Sequence, residues 1–187
     1  MSKKITKFFL LLTLFFIPSA KGAERIFLYK GTFSRTITIE ELSRFKKTKV
    51  ANYKLKNLIR ITNQNEKKLY EVLSYKIDVP LKASSKLMNS KIGKVFLNRI
   101  SRIIYPNKIL DKKIGTKAIR SGILLSSYKN DQKIDLIDFF IAYPNKNIAI
   151  DLNALSKALR KAESLKELIE FYSNSPFKKL KDGSSSI

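Results

Sequence analysis

Three glutamates, Glu163, Glu167 and Glu170, recur at helical spacing and share one face, the kind of placement a glycosidase-like acid and base would need. Such a pair works when an apolar pocket keeps one carboxyl protonated. Here Lys166 precedes Glu170 by four residues, and Lys157 and Lys161 lie just upstream. Acid–base pairs at that spacing are ordinary on solvated helices, so the charged-face reading outweighs the catalytic one.

The residue types that are missing narrow the chemistry further. The 187 residues contain no His, no Cys and no Trp. A Ser-His-Asp or Cys-His triad therefore has neither its base nor its thiol. Zinc on imidazole or thiolate, haem on His or Cys, thiolate-held iron–sulfur clusters and disulfides go with them. No G-x-S-x-G elbow is present, since Gly31-Thr-Phe-Ser34 and Gly122-Ile-Leu-Leu have the wrong spacing, and the six glycines form no phosphate loop. No residue is assigned a catalytic, cofactor-binding or metal-binding role, and the expectation is a chain that is not an enzyme and carries no cofactor.

Binding residues are the alternative. Lys91 to Ile104 is the clearest amphipathic stretch: Ile92, Val95, Phe96, Ile100, Ile103 and Ile104 form an apolar stripe, with Lys91, Lys94, Asn98 and Arg102 largely opposite. A basic amphipathic helix can lie on anionic lipid, but this stripe lacks Trp and has the width of a core-packing face, so burial is the expectation. Tyr53, Tyr70, Tyr75, Tyr105, Tyr128, Tyr143 and Tyr172 would make a stacking platform only if brought together; spaced along the chain, they read as core-edge residues.

The formal charge is +23, from 38 Lys and Arg against 15 Asp and Glu. Lysine dominates the basic set, and Ile and Asn are abundant, a skew that AT-rich coding produces without any partner. A selected anionic partner is the other reading. Phosphate and base recognition leans on Arg, so nucleic acid is not an expected partner.

The elements that would carry these residues begin with a leader. Lys3, Lys4 and Lys7 precede an apolar run from Phe8 to Ile17, Pro18 ends it, and Ala20, Gly22 and Ala23 supply small residues for cleavage: the order of a secretory signal peptide. These ten residues, apolar apart from Thr13, make about 15 Å of helix, half of what a membrane span needs. Cleavage after Gly22 is preferred over cleavage after Ala23, because it places Ala20 rather than Lys21 at the −3 position. Removing residues 1–22 leaves 34 basic and 15 acidic residues, a charge of +19. The expected location is the periplasm or another exported compartment, where the anions are lipid head groups and envelope polymers. Without a Cys at the cleavage region, a lipid-anchored form is excluded.

Residues 23–173 then read as one domain. Arg25–Tyr29 and Arg35–Ile39 form a hairpin around Lys30–Ser34. Thr38 and Glu41 form a capping box. Helices follow at Tyr53–Ile61, from Asn63 through Leu69, Val72 and Leu73, from Pro80 to Leu87, and over Lys91–Ile104. Tyr105–Lys113 reads as a loop. Thr116 would cap a centrally buried helix with Ala118, Ile119, Gly122 and Leu125. Asp135 and Asp138 start Leu136–Tyr143, and Asn147–Ile150 would be a third strand. A last helical segment buries Leu152, Leu155, Leu159 and Ala162, then Leu165, Leu168 and Ile169, with a second capping box at Ser164 and Glu167. Residues 174–187 read as a disordered tail. The fold expected is mainly α: a bundle of about seven or eight short helices with a small β-hairpin, or three strands in all, near the N-terminus.

Several of these segments, in this order, carry a resemblance. Ala23-Glu-Arg-Ile26, Ile37-Thr-Ile-Glu-Glu-Leu42, Leu87–Ile104 around Gly93, Ala118-Ile-Arg-Ser-Gly122, and Tyr143-Pro144 with Ile148–Leu152 resemble the domain of unknown function that precedes an α/β-hydrolase domain in cyanobacterial exported proteins. The resemblance covers roughly Ala23 to Ala162. It implies an exported helical module that covers, regulates or recruits a hydrolase, here encoded without one, and it carries over no catalytic residue. The expected function is thus a non-catalytic accessory or binding domain, partnering a separate hydrolase or another exported protein. A peripheral binder of anionic membrane or envelope polymer is the alternative, and a hydrolase by family label is not supported by the residues.

Overall fold

The structure, a computed structural model, describes residues 22–109 and 111–161. The expected leader up to Lys21, the face of Glu163, Glu167 and Glu170, Ala162, Leu165, Leu168, Ile169, the Ser164 capping box, Tyr172 and the 174–187 tail lie outside the described residues.

The chain enters through strand β1 (Arg25–Lys30) and returns in β2 (Phe33–Thr38). Lys30 pairs with Phe33, which leaves a two-residue turn with Gly31 first, at φ 61°. That position in a type II′ turn needs the left-handed backbone glycine adopts freely. The register sets Ile26 opposite Ile37, and both are buried. Helix α1 (Ile39–Thr48) starts at once, because Thr38 Oγ1 accepts from the Glu41 N–H at 3.0 Å and Glu41 Oε2 accepts from the Thr38 N–H at 2.9 Å. Burial pushes the Glu41 pKa up, but the Thr38 N–H, Asn52 and Lys54 outweigh it and hold the carboxyl below its usual range.

Four short helices follow: α2 (Tyr53–Ile61), α3 (Glu66–Ser74), α4 (Leu81–Asn89) and α5 (Lys91–Ile100). Asn52, Asn65 and Ser90 cap α2, α3 and α5. Asn65, not Asn63, starts α3, and Val72 of that helix is exposed. Between α3 and α4, Ile77–Asp78 forms β3, which pairs with β5 (Lys133–Ile134). The long helix α6 (Lys112–Lys129) is capped by Asp111, a turn earlier than Thr116. It buries Ala118, Ile119 and the hydroxyls of Ser126 and Ser127, while Leu125 is partly exposed. Helix α7 (Leu136–Ala142), strand β6 (Asn147–Asp151) and helix α8, described over 152–161, complete the order.

The expected mainly α bundle with a small hairpin is not what forms. The fold is mixed α/β, with a four-stranded sheet in the order β2-β1-β6-β4 beside the two-stranded β3-β5 pair. Strand β6 runs parallel to β1 and antiparallel to β4 (Ile104–Pro106). Strand β6 falls on the expected third strand, Asn147–Ile150, and runs on to Asp151, but it is central and buried along Ile148, Ala149 and Ile150. Strand β4 takes residues read as the end of a helix and the start of a loop. Pro106, which has no N–H to give, sits there because β4 is an edge.

One polar contact ties α7 to α1. Asp135 Oδ1 accepts from the N–H groups of Ile137 at 2.8 Å and Asp138 at 3.0 Å, and its Oδ2 accepts from Lys46 Nζ. Burial alone would raise the Asp135 pKa; Lys46 and the two N–H groups reverse that and hold it below the usual carboxylate range. A depressed folded-state pKa contributes stability above the unfolded value, about 3.9, that is lost as pH falls through the folded value. Resistance to urea unfolding should therefore fall below about pH 4. Asp135→Ala should cost about 3 kcal/mol at neutral pH and flatten that acid limb.

Candidate docking surface

The feature that the fold leaves unexplained is α5. Its residues advance about 100° each around the helix axis, so the apolar positions from Val95 through Ile92 and Phe96 to Ile100, Gly93 and Leu97 cover an arc of about 200°. Only one side of that arc is used for packing. Leu97 is 1 % exposed and Gly93 is buried, and Ile100 packs partly against the core. On the other side Ile92 is 77 % exposed, and Val95 and Phe96 are each 52 % exposed. The stripe expected to enter the core thus stands half outside it: Ile103 is buried and Ile104 joins β4, but Ile92, Val95 and Phe96 face solvent.

Helix α5 is fixed in this orientation at both ends. Ser90 closes α4 and caps α5, with its Oγ accepting from the Gly93 N–H at 3.1 Å. A methyl group on Gly93 would lie 1.9 Å from the Leu87 carbonyl oxygen and 2.7 Å from Met88 Cα, so the two helices meet backbone to backbone there. At the other end, the Asp151 N–H donates to the Ile103 carbonyl at 2.9 Å, just before β4 joins the sheet. Asn98 Oδ1 accepts from Thr116 Oγ1 of α6 at 3.0 Å.

The exposed arc is apolar, with Lys91 at its edge and Arg99 within it. An open groove of about 430 Å³ is lined, among the described residues, by Lys91, Ile92, Val95, Phe96 and Arg99. Leu87, at the end of α4, is also exposed. Between Asp78 and Asp111 the chain carries seven Lys or Arg and not one Asp or Glu. Contiguous large apolar side chains on a surface mark a contact site.

The other residues singled out do not converge. Tyr53 on α2, Tyr75 just past the end of α3 and Tyr128 on α6 are each exposed, Tyr70 lies under Lys49 with Nζ 4.9 Å from the ring centroid, and Tyr143 is in the core. Tyr105 comes near a residue outside the expected set, Tyr29, whose hydroxyl donates to Asn107 Oδ1 at 3.0 Å. Burial raises the Tyr105 pKa, and Asp151 and Tyr29 add to it. Lys157 and Lys161 are exposed on α8, as a solvated charged face requires, but so is Leu159, expected in the core. Among the described residues no group of three carboxylates is placed to hold a metal ion, and no helix is long and apolar enough to cross a membrane.

Residues 22–151 match the family model described as "Alpha/beta hydrolase of unknown function (DUF1400)". The chain belongs to this family. The match spans the four-stranded sheet and helices α1 to α7, and so includes the whole of α5. Searches of curated proteins and of solved structures find no significant match. The DUF1400 match supplies a hydrolase name but no residue roles; the elbow and base that such a name suggests have no counterpart in the sequence.

Two substitutions separate the packed side of α5 from its open side. Gly93→Ala should destabilise the chain by about 1–3 kcal/mol, because backbone must shift to admit the methyl group. Ile92→Ser should change urea stability by less than about 0.5 kcal/mol, as at other exposed positions. A core-sized loss at Ile92 would contradict the exposure described here.

Proposed function

We propose that this chain is an exported, non-catalytic module of the DUF1400 family that works by binding, as an accessory to a separately encoded hydrolase. The observation that carries the binding role is the solvent-facing side of α5, where Ile92, Val95 and Phe96 are exposed beside Lys91 and Arg99. A folded domain has a reason to leave three large apolar side chains in water when something else covers them in use. The leader pattern in residues 1–22 supports export, and family membership supports the link to a hydrolase. The absence of His and Cys supports the non-catalytic role.

Two measurements test this reading together. The purified full chain should turn over no ester or glycan substrate, while the tagged chain, crosslinked in living cells and recovered through a high-salt wash, should bring an α/β hydrolase with it. Turnover by the chain alone that disappears on replacing a single Asp, Glu or Ser would overturn the reading.

A further inference from the structure

We infer that the open side of α5 seats on an anionic lipid bilayer, with Ile92, Val95 and Phe96 entering the head-group region and Lys91 and Arg99 bound to lipid phosphates. This rests on the binding role proposed above and names the partner of that face.

The distribution of charge selects the occupant. The exposed apolar patch is bordered by Lys91 and carries Arg99 within its arc, which matches an anionic surface. Around the helix, Arg99 falls between Val95 and Ile92, one turn toward the C-terminus. Its long stem can lie along that apolar surface while the guanidinium reaches a phosphate, as basic side chains do at a membrane interface. The acid-free run from Val79 to Leu110 spans α4 and α5, so no carboxylate on either helix opposes an anionic surface. Helix α5 has ten residues, and no described helix can span a bilayer, so the contact lies in the interface and does not cross it. Attachment through so small an apolar patch depends on charge, each basic residue near the surface contributing about fivefold in affinity.

The chain has no Trp, so Phe96→Trp gives a single local reporter. The full-length variant is mixed with vesicles of phosphatidylcholine, with or without phosphatidylglycerol, carrying brominated acyl chains. Whatever the Phe8–Ile17 segment contributes to binding, only seating of α5 places residue 96 against the bromines. The expected result is a blue shift and quenching on anionic vesicles, lost in high salt and on neutral vesicles. Adding Lys91→Gln and Arg99→Gln should weaken that response about 25-fold, two charges at about fivefold each. Ile92→Asp should remove it while the circular dichroism stays unchanged. Unaltered emission with every vesicle, equal insertion on neutral lipid, or a response only to a soluble acidic polysaccharide would each overturn the inference. Catalysis by the isolated chain would defeat the accessory role without touching this result.

Discussion

Burial of strand β6 is the constraint on which the rest of the molecule depends. Ile148 and Ala149 are fully buried, so the backbone N–H and C=O groups of this strand have no access to water and must be paired on both edges. Strand β1 supplies one edge in parallel and β4 the other in antiparallel. The first requirement fixes the N-terminal hairpin, because β2 is held through β1. The second makes residues 104–106 extend, which ends α5 at Ile100 and leads the chain through Ser101–Ile103 into the sheet. With its far end set by β4 and its near end pinned at Gly93, α5 has no freedom to roll its remaining apolar side chains inward. The exposed face is a consequence of how the central strand is paired.

Local chemistry made much of this legible in advance. The Thr38–Glu41 and Asp135–Asp138 boxes need only residues three apart, and Gly31 in a short turn between β-rich segments needs only its own conformational freedom. Helix α2 falls on the expected residues. What was hidden is long-range. The third strand was legible at Asn147–Ile150, but nothing local says that it lies between β1 and β4, and a three-residue edge strand has no period at all. The pairing between residues 104–106 and 148–150 exists only once the intervening helices fold back.

The candidate site was half legible for the same reason. Periodicity identified α5 as amphipathic and named Ile92, Val95 and Phe96, but it could not say which part of a wide apolar arc its neighbours would cover. The answer lies in Gly93, whose missing side chain lets α4 approach from one side, and in Leu97, outside the expected stripe yet almost wholly buried. A family name that speaks of hydrolysis is reconciled with a chain lacking His and Cys when the module's work is placement of another protein's chemistry, which is the role proposed here.

That account turns on α5 being the surface that meets an anionic bilayer. Residue-resolved hydrogen exchange on the full chain, with and without anionic vesicles, tests it most directly. The account predicts slowed exchange confined to α4 and α5, residues 81–100, with β1, β6 and α7 unchanged. Protection centred on the sheet or on α8, with α5 exchanging as it does in free solution, would contradict it.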